Sequence, residues 1–176
     1  MSLELIHDHF LDIMNKKIDT LISKPTLIDS SRTISNVMSA LTENDSFDAF
    51  CIEKGVTHCV NSRDLLLGKD IANMKVRPFL HPIASLKRGD LVEKAVNILT
   101  HNRIRSVPVL DDGNIIGVVR AKDILQLISE LDNKWIKANQ FFTPNPVVID
   151  KKAALSSARK IMTTKRFDHL PVVDGN

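Results

Sequence analysis

Apolar positions in this chain recur at helical spacing, then in short continuous or alternating runs, and that succession repeats. Leu5, Ile6, Phe10, Ile13, Met14, Ile18 and Leu21 lie close to a helical period over residues 3–22. They predict an amphipathic N-terminal helix that covers either the first folded unit or another subunit. From Lys24 the run Lys-Pro-Thr-Leu-Ile-Asp reads as a short extended piece, and Ile34, Val37, Met38 and Leu41 then mark a helix. A strand Ala49–Glu53, a turn at Gly55, a return strand Thr57–Val60 and a helix Leu65–Met74 opened by Asp64 complete the unit.

The same order follows again. His81-Pro82-Ile83-Ala84 is extended, and Asp90 with Glu93 three residues on forms a capping-box pattern. The helix it opens buries Leu91, Val92, Ala95, Val96 and Leu99. Strands Ser106–Leu110 and Ile115–Val119 flank the turn Asp111–Asn114, whose Asp112-Gly113 suits a tight hairpin because Gly tolerates positive φ. An amphipathic helix, Ala121–Leu131, carries Asp123. A third copy begins at Asn145–Asp150, continues through a helix marked by Ala154, Leu155, Ala158, Ile161 and Met162, and ends at 166–176, which restates 103–114. Pro108-Val109-Leu110-Asp111 and Pro171-Val172-Val173-Asp174 are the same phrase.

The period is about 60 residues, and Asp64 and Asp123 stand 59 positions apart. Each unit is β-α-β-β-α, an α/β (α+β) class. A hairpin with two helices cannot bury both of its faces alone, so units 1 and 2 are expected to pack as a pseudo-twofold pair. The expected divisions are an N-terminal helix at 1–23, repeats at 24–78 and 79–135, and a partial repeat at 136–176. The last stops inside its hairpin. The expectation is that the natural protein completes this repeat and adds a fourth, or that the piece packs on repeats 1 and 2 or on another chain.

Composition narrows the function classes. The 176 residues have 43% hydrophobic and 26% charged content and a net charge of +3, ordinary values for a globular protein, with basic residues scattered among acids. A nucleic-acid footprint is therefore weakly marked, and no apolar run reaches the ~18 residues that span a membrane. Two cysteines, Cys51 and Cys59, imply no disulfide framework and point to a reducing, cytoplasmic setting. Placed symmetrically about Gly55, they read as reduced, half-buried thiols facing each other across the hairpin. His7 and His9, two apart on a helix, do not share a face and read as solvated. Trp135 reads as linker packing between repeats 2 and 3. No glycine-rich phosphate loop, H-E-x-x-H, C-x-x-C or G-x-S-x-G occurs, so no catalytic or metal residue is assigned and no enzyme is expected.

Pro82-Ile83, Val107-Pro108-Val109 and Gly117-Val118-Val119 leading to Asp123 resemble the CBS domain, named for cystathionine β-synthase, whose tandem repeats pack into a Bateman module. The likeness covers roughly residues 24 to 176, well in repeats 2 and 3 and weakly in repeat 1. It implies a regulatory ligand sensor that binds AMP, ADP, ATP or S-adenosylmethionine between repeats and signals by a conformational shift. It also implies a homodimer and a regulated partner protein that the sequence does not name. In the family a helix-opening Asp holds the ribose, which makes Asp123 and Asp64 the ribose candidates, since a carboxylate accepts two hydrogen bonds from a vicinal diol. A Ser or Thr three residues earlier assists, but here Arg120 and Asn61 stand at that position. Arg120 is a phosphate ligand or fills the cleft in an ion pair with Asp123. Arg105 matches a strand position where the family carries a basic phosphate contact, and His169 sits near its equivalent in repeat 3. Val107, Pro108 and Ile83 complete the implied nucleotide contacts. Repeat 1 also has His58 for Gly117 and Cys51 for Pro108. The alternatives are a ligand-free interaction scaffold and a module that binds nucleic acid through basic faces. An Asp in a first helical turn also stabilises its helix with no ligand, by ~0.3–1 kcal/mol.

Overall fold

The computed structural model describes residues 3–66, 71–129, 142–165, 167 and 169–175, with the backbone path alone for 3–7 and 66. Trp135, Arg166, Asp168 and the end of the Asp123 helix beyond Ser129 lie outside them.

The helix α1 spans Leu3–Met14, and a short 3-10 turn follows at Ile18–Leu21. Repeat 1 contributes α2 (Ile34–Glu43), β1 (Asp48–Glu53), β2 (Val56–Asn61) and a second 3-10 turn, Asp64–Leu66. Thr33 caps α2 by accepting from the Asn36 amide at 3.3 Å. Strands β3 (His81–Pro82) and β4 (Leu86–Lys87) precede repeat 2's α3 (Val92–Asn102), β5 (Ser106–Asp111), β6 (Asn114–Arg120) and α4 (Ala121–Ser129). Repeat 3 supplies β7 (Ile149–Asp150), α5 (Leu155–Lys165) and β8 (Val172–Val173), with β7 and β8 pairing in parallel.

Both hairpins close on the same turn. Lys54 and Gly55 have φ of 50° and 77°, and Asp112 and Gly113 have 45° and 77°, the double positive φ of a type I′ turn. The register shifts between Val109 and Leu110, leaving Ile116 as an extra residue in β6. This places Phe50, not Cys51, opposite the pseudo-equivalent of Pro108's partner: Phe50 pairs with Cys59 as Pro108 pairs with Val118.

The two repeats exchange segments. Ser23 trades backbone hydrogen bonds of 2.9 Å in both directions with Val118 of β6, while β3 pairs antiparallel with β2. Thus the chain preceding each repeat extends the sheet of the other. The cores are shared in the same way: Ile18, ahead of repeat 1, is fully buried in repeat 2 with Leu86, Val92, Val107 and Ile124, while Phe79 and Leu80, which open repeat 2, pack on the repeat 1 core of Val37, Val60, Leu65 and Val76. Ile13 and Met14 carry α1 into the repeat 2 core, so the N-terminal helix covers the second unit rather than the first. Phe50, Cys59 and Val118 form a third cluster where the two sheets meet.

Three further expectations change. Of the helix expected at Leu65–Met74, the described residues show the 3-10 turn Asp64–Leu66 and non-helical backbone from Ile71 to Met74; residues 67–70 lie outside the described set. Met74 O accepts from Ile34 N and Val76 N donates to Arg32 O, each at 2.9 Å, so this segment's backbone is paired with the start of α2. Asp90 does not form a capping box: its Oδ2 accepts from Lys87 N and Lys94 Nζ at 2.7 Å, and Leu91 becomes the helix boundary. Finally, Cys51 lies opposite His58 and Cys59 opposite Phe50, so the two thiols point to opposite faces of the sheet.

Candidate functional site

The end of β2, the β3 segment and the C-terminus of α3 enclose a cleft of about 680 Å³ between repeats 1 and 2. Asn61, Arg63 and Asp64 form one wall and Asn102, Arg103 and Ile104 the opposite one, with His81, Pro82 and Ile83 between them. His101 and Thr163 of α5 lie on the rim. Among the described lining residues, Pro82, Ile83 and Ile104 offer apolar surface, Asp64 is the one carboxylate, and Arg63, Arg103, His81 and His101 supply basic groups.

Each of these side chains has a local cause for its place. Asp64 starts the 3-10 turn, its Oδ2 accepting from Asn61 N at 3.3 Å and lying 3.8 Å from His81 Nε2, with about a third of its side chain exposed (34%). Arg63 Nη2 crosses the cleft to donate to Arg103 O at 2.9 Å. That carbonyl points there because Arg103 ends α3 in the left-handed region, φ 53°, its N–H returning to Leu99 O. Asn61 is committed at both ends: Nδ2 donates to Asp48 Oδ1 at 2.6 Å and Oδ1 accepts from Arg63 N at 2.9 Å.

Behind the cleft lies a residue the sequence did not mark. Asp48 is fully buried, and its Oδ2 accepts from Arg105 N, Ser106 N and Ser106 Oγ at 2.9, 2.8 and 2.8 Å. Desolvation pushes its carboxyl above the ordinary range, while the hydrogen bonds from Ser106, Asn61 and the Arg105 amide pull the other way.

The pseudo-symmetric position in repeat 2 is built differently. Asp123 lies in the first turn of α4, but Arg120 Nη2 donates to Lys24 O at 3.2 Å, and among the described residues no ion pair joins Arg120 to Asp123. A Cβ on Gly117 would come within 2.3 Å of Ile22 Cγ2, so the entering strand already fills that edge. Lys122, the counterpart of Arg63, faces Asp45 Oδ2 at 3.9 Å, and Asp45 occupies the place Arg103 has in the other half.

The expected site residues therefore separate. Asn61, Asp64 and Ile83 meet in one cleft; Arg120 and Asp123 lie at the other. Arg105 stacks its guanidinium 3.9 Å from the centre of the Phe47 ring. Val107 and Pro108 are fully buried, Val107 within the repeat 2 core, and they line no part of the 680 Å³ cleft. His169 is exposed in repeat 3. Among the described residues no group of three or more His, Cys, Asp or Glu is placed to hold a metal ion.

The CBS domain model matches residues 76–130 and 138–176, together more than half of the chain. The chain belongs to the CBS domain family. A CBS domain-containing protein of Arabidopsis thaliana, CBSX1, chloroplastic, is 30% identical over 52% of this chain and 51% of its own length. The chain thus spans about half the length of the curated relatives it matches. Among solved structures, the CBS domain-containing protein tm0935 from Thermotoga maritima superposes with a TM-score of 0.58 at 16% identity, covering 68% of this chain and 99% of that one. The CBS domain pair of protein MJ0100, solved with 5′-methylthioadenosine and S-adenosyl-L-methionine, gives 0.57 at 18% identity, covering 65% and 96%. The fold is that of a CBS domain pair, and no helix among the described residues is long and apolar enough to cross a membrane.

Proposed function

We propose that this CBS protein is a regulatory module, not an enzyme, that binds an adenosyl nucleotide in the repeat 1 cleft. Asp64 accepts from the ribose hydroxyls, Pro82, Ile83 and Ile104 flank the base, and Arg63, Arg103, His81 and His101 favour the phosphates. The observation that carries this is the contrast between the two halves. One half holds a cleft of about 680 Å³ that joins a carboxylate, an apolar wall and four basic groups, whereas in the other half Arg120 is held on Lys24 O and Lys122 faces Asp45. The adenosyl ligands of the MJ0100 pair support the ligand class. A ligand touching residues 61–64 of repeat 1 and 102–104 of repeat 2 binds one arrangement of the walls better and shifts the population toward it. The same reading makes the module a cytoplasmic homodimer acting on another protein; a monomer in sedimentation equilibrium removes the dimer.

Calorimetric titration with AMP, ADP, ATP and S-adenosylmethionine tests the function. At least one is expected to bind in the micromolar range, about −8 kcal/mol. Asp64→Asn should weaken that binding about tenfold, the size of one lost charge-assisted hydrogen bond. No heat from any of the four would leave a ligand-free scaffold as the reading. A larger loss from Asp123→Asn than from Asp64→Asn would move the site to the second cleft.

A further inference from the structure

Asp48 has no counterpart in repeat 2, where its pseudo-equivalent is Ser106, the residue it binds. It is a fully buried carboxylate with four donors and, among its hydrogen-bond partners, no side-chain cation. Burying such a charge costs several kcal/mol unless every acceptor is satisfied, so its presence calls for a reason beyond packing. Its donors divide between the two walls of the cleft. Oδ1 holds Asn61, whose own backbone N–H reaches Asp64. Oδ2 holds the amides of Arg105 and Ser106, next in sequence to the wall residues Arg103 and Ile104.

We infer that Asp48 is a positioning residue for the nucleotide cleft: it clamps the Asp64 wall of repeat 1 to the Arg103–Ile104 wall of repeat 2 and sets where the Asp64 carboxylate meets the ribose. Asn61 is the link in this clamp and not a ligand contact, since both ends of its amide are spent on Asp48 and the Arg63 amide. This explains why an amide stands at the position where the family carries a hydroxyl. The inference rests on the proposed nucleotide function.

Replacing Asp48 by Asn keeps the shape but turns one acceptor into a donor. That donor must then face either the Asn61 amide or the Ser106 and Arg105 N–H groups, so one wall is released. The experiment compares AMP and ATP with their 2′,3′-dideoxy forms on the full chain. The wild type should prefer the ribose forms about tenfold, as expected for hydrogen bonds to a charged acceptor. In Asp48→Asn that preference should collapse to near unity, with any loss of dideoxy affinity smaller than the loss for the ribose forms, because the Asp64 carboxylate that the clamp positions meets only the diol. General loosening would instead weaken both forms alike and would overturn the inference, as would an intact ribose preference. If Asp48→Asn does not fold, Ser106→Ala removes one donor and keeps the two backbone ones; the preference should fall two- to threefold, and an unchanged preference overturns the inference. A wild type with no ribose preference for either nucleotide overturns the functional reading first, and this inference with it.

Discussion

Cys51 and Cys59 show how strongly a single register decides residue chemistry. They sit on opposite faces of the β1–β2 hairpin and cannot bridge, because Cys51 is paired with His58 and Cys59 with Phe50. Burial, with Glu53 and Asp29 nearby, pushes the Cys51 thiol up to about 11, and burial next to the Asp48 and Asp64 carboxylates holds Cys59 well above the ordinary thiol range. Thiolate is the reactive form, so both side chains behave as small hydrophobes in the sheet. Iodoacetamide at pH 8 is therefore expected to leave the native protein unmodified over an hour and to add two labels in denaturant. Rapid native labelling of either cysteine would show that the hairpin opens or that this burial is wrong. Asp48 carries the opposite lesson. It reads in the sequence as an ordinary acid before a strand, and only the long-range approach of Ser106 reveals it as a junction. The one local hint is that an acid heads the strand Asp48–Glu53 just where repeat 2 has Ser106, ahead of an otherwise buried run.

Among the elements, the exchanged strands decide what the clefts can hold. Residues 22–24 and 81–83 occupy equivalent edges of opposite sheets, yet one edge is closed by Ile22 against Gly117 and the other opens onto the cleft at Ile83. Gly117→Ala would drive a methyl into Ile22 and should cost about 1–3 kcal/mol, the usual range for overpacking. Chemical denaturation checks this, and Gly117→Ala combined with Ile22→Ala should recover part of the loss because the second change makes room for the first. Additive losses would mean that Ile22 is not what Gly117 accommodates. Hairpins and helices were legible because their signals are local: a period of apolar residues, an Asp-Gly turn, a turn glycine such as Gly55. The exchange was not, because Ser23 and Val118 lie 95 positions apart and nothing in either segment names the other. Asp64 and Ile83 were found by their place in the repeat, whereas Arg103 became a wall residue through a left-handed helix end that an arginine does not advertise. At the end of the helix expected at Leu65–Met74, the Met74 carbonyl is likewise drawn to the Ile34 amide, a long-range pairing that local spacing does not show.

At the scale of the whole chain, stability is unevenly distributed. Repeats 1 and 2 are tied together, since Ile18 completes the repeat 2 core, Phe79 and Leu80 of repeat 2 pack on the repeat 1 core, and Phe50, Cys59 and Val118 join them. Repeat 3 is different. No residue of α5 is buried, Leu155 at its start is 89% exposed, and the β7–β8 pair spans two residues on each strand. Among the described residues α5 approaches the Asp64–Leu66 turn at the cleft rim, where Thr163 stands. Local opening free energy follows buried apolar contact, so amides in α5 should exchange hydrogen orders of magnitude faster than those of α3, which buries Val92, Ala95, Ile98 and Leu99. The exchanged strands should behave in the opposite way: although short and near the ends of their repeats, the Ser23, Ile83 and Val118 amides should exchange only with global unfolding, because freeing any one of them parts the two repeats. Hydrogen exchange with peptide-level mass analysis reads all three at once. Protection of α5 equal to α3 would mean that repeat 3 is held by contacts beyond this surface, and fast exchange at Ser23 and Val118 would mean that the repeats are joined without the strand exchange.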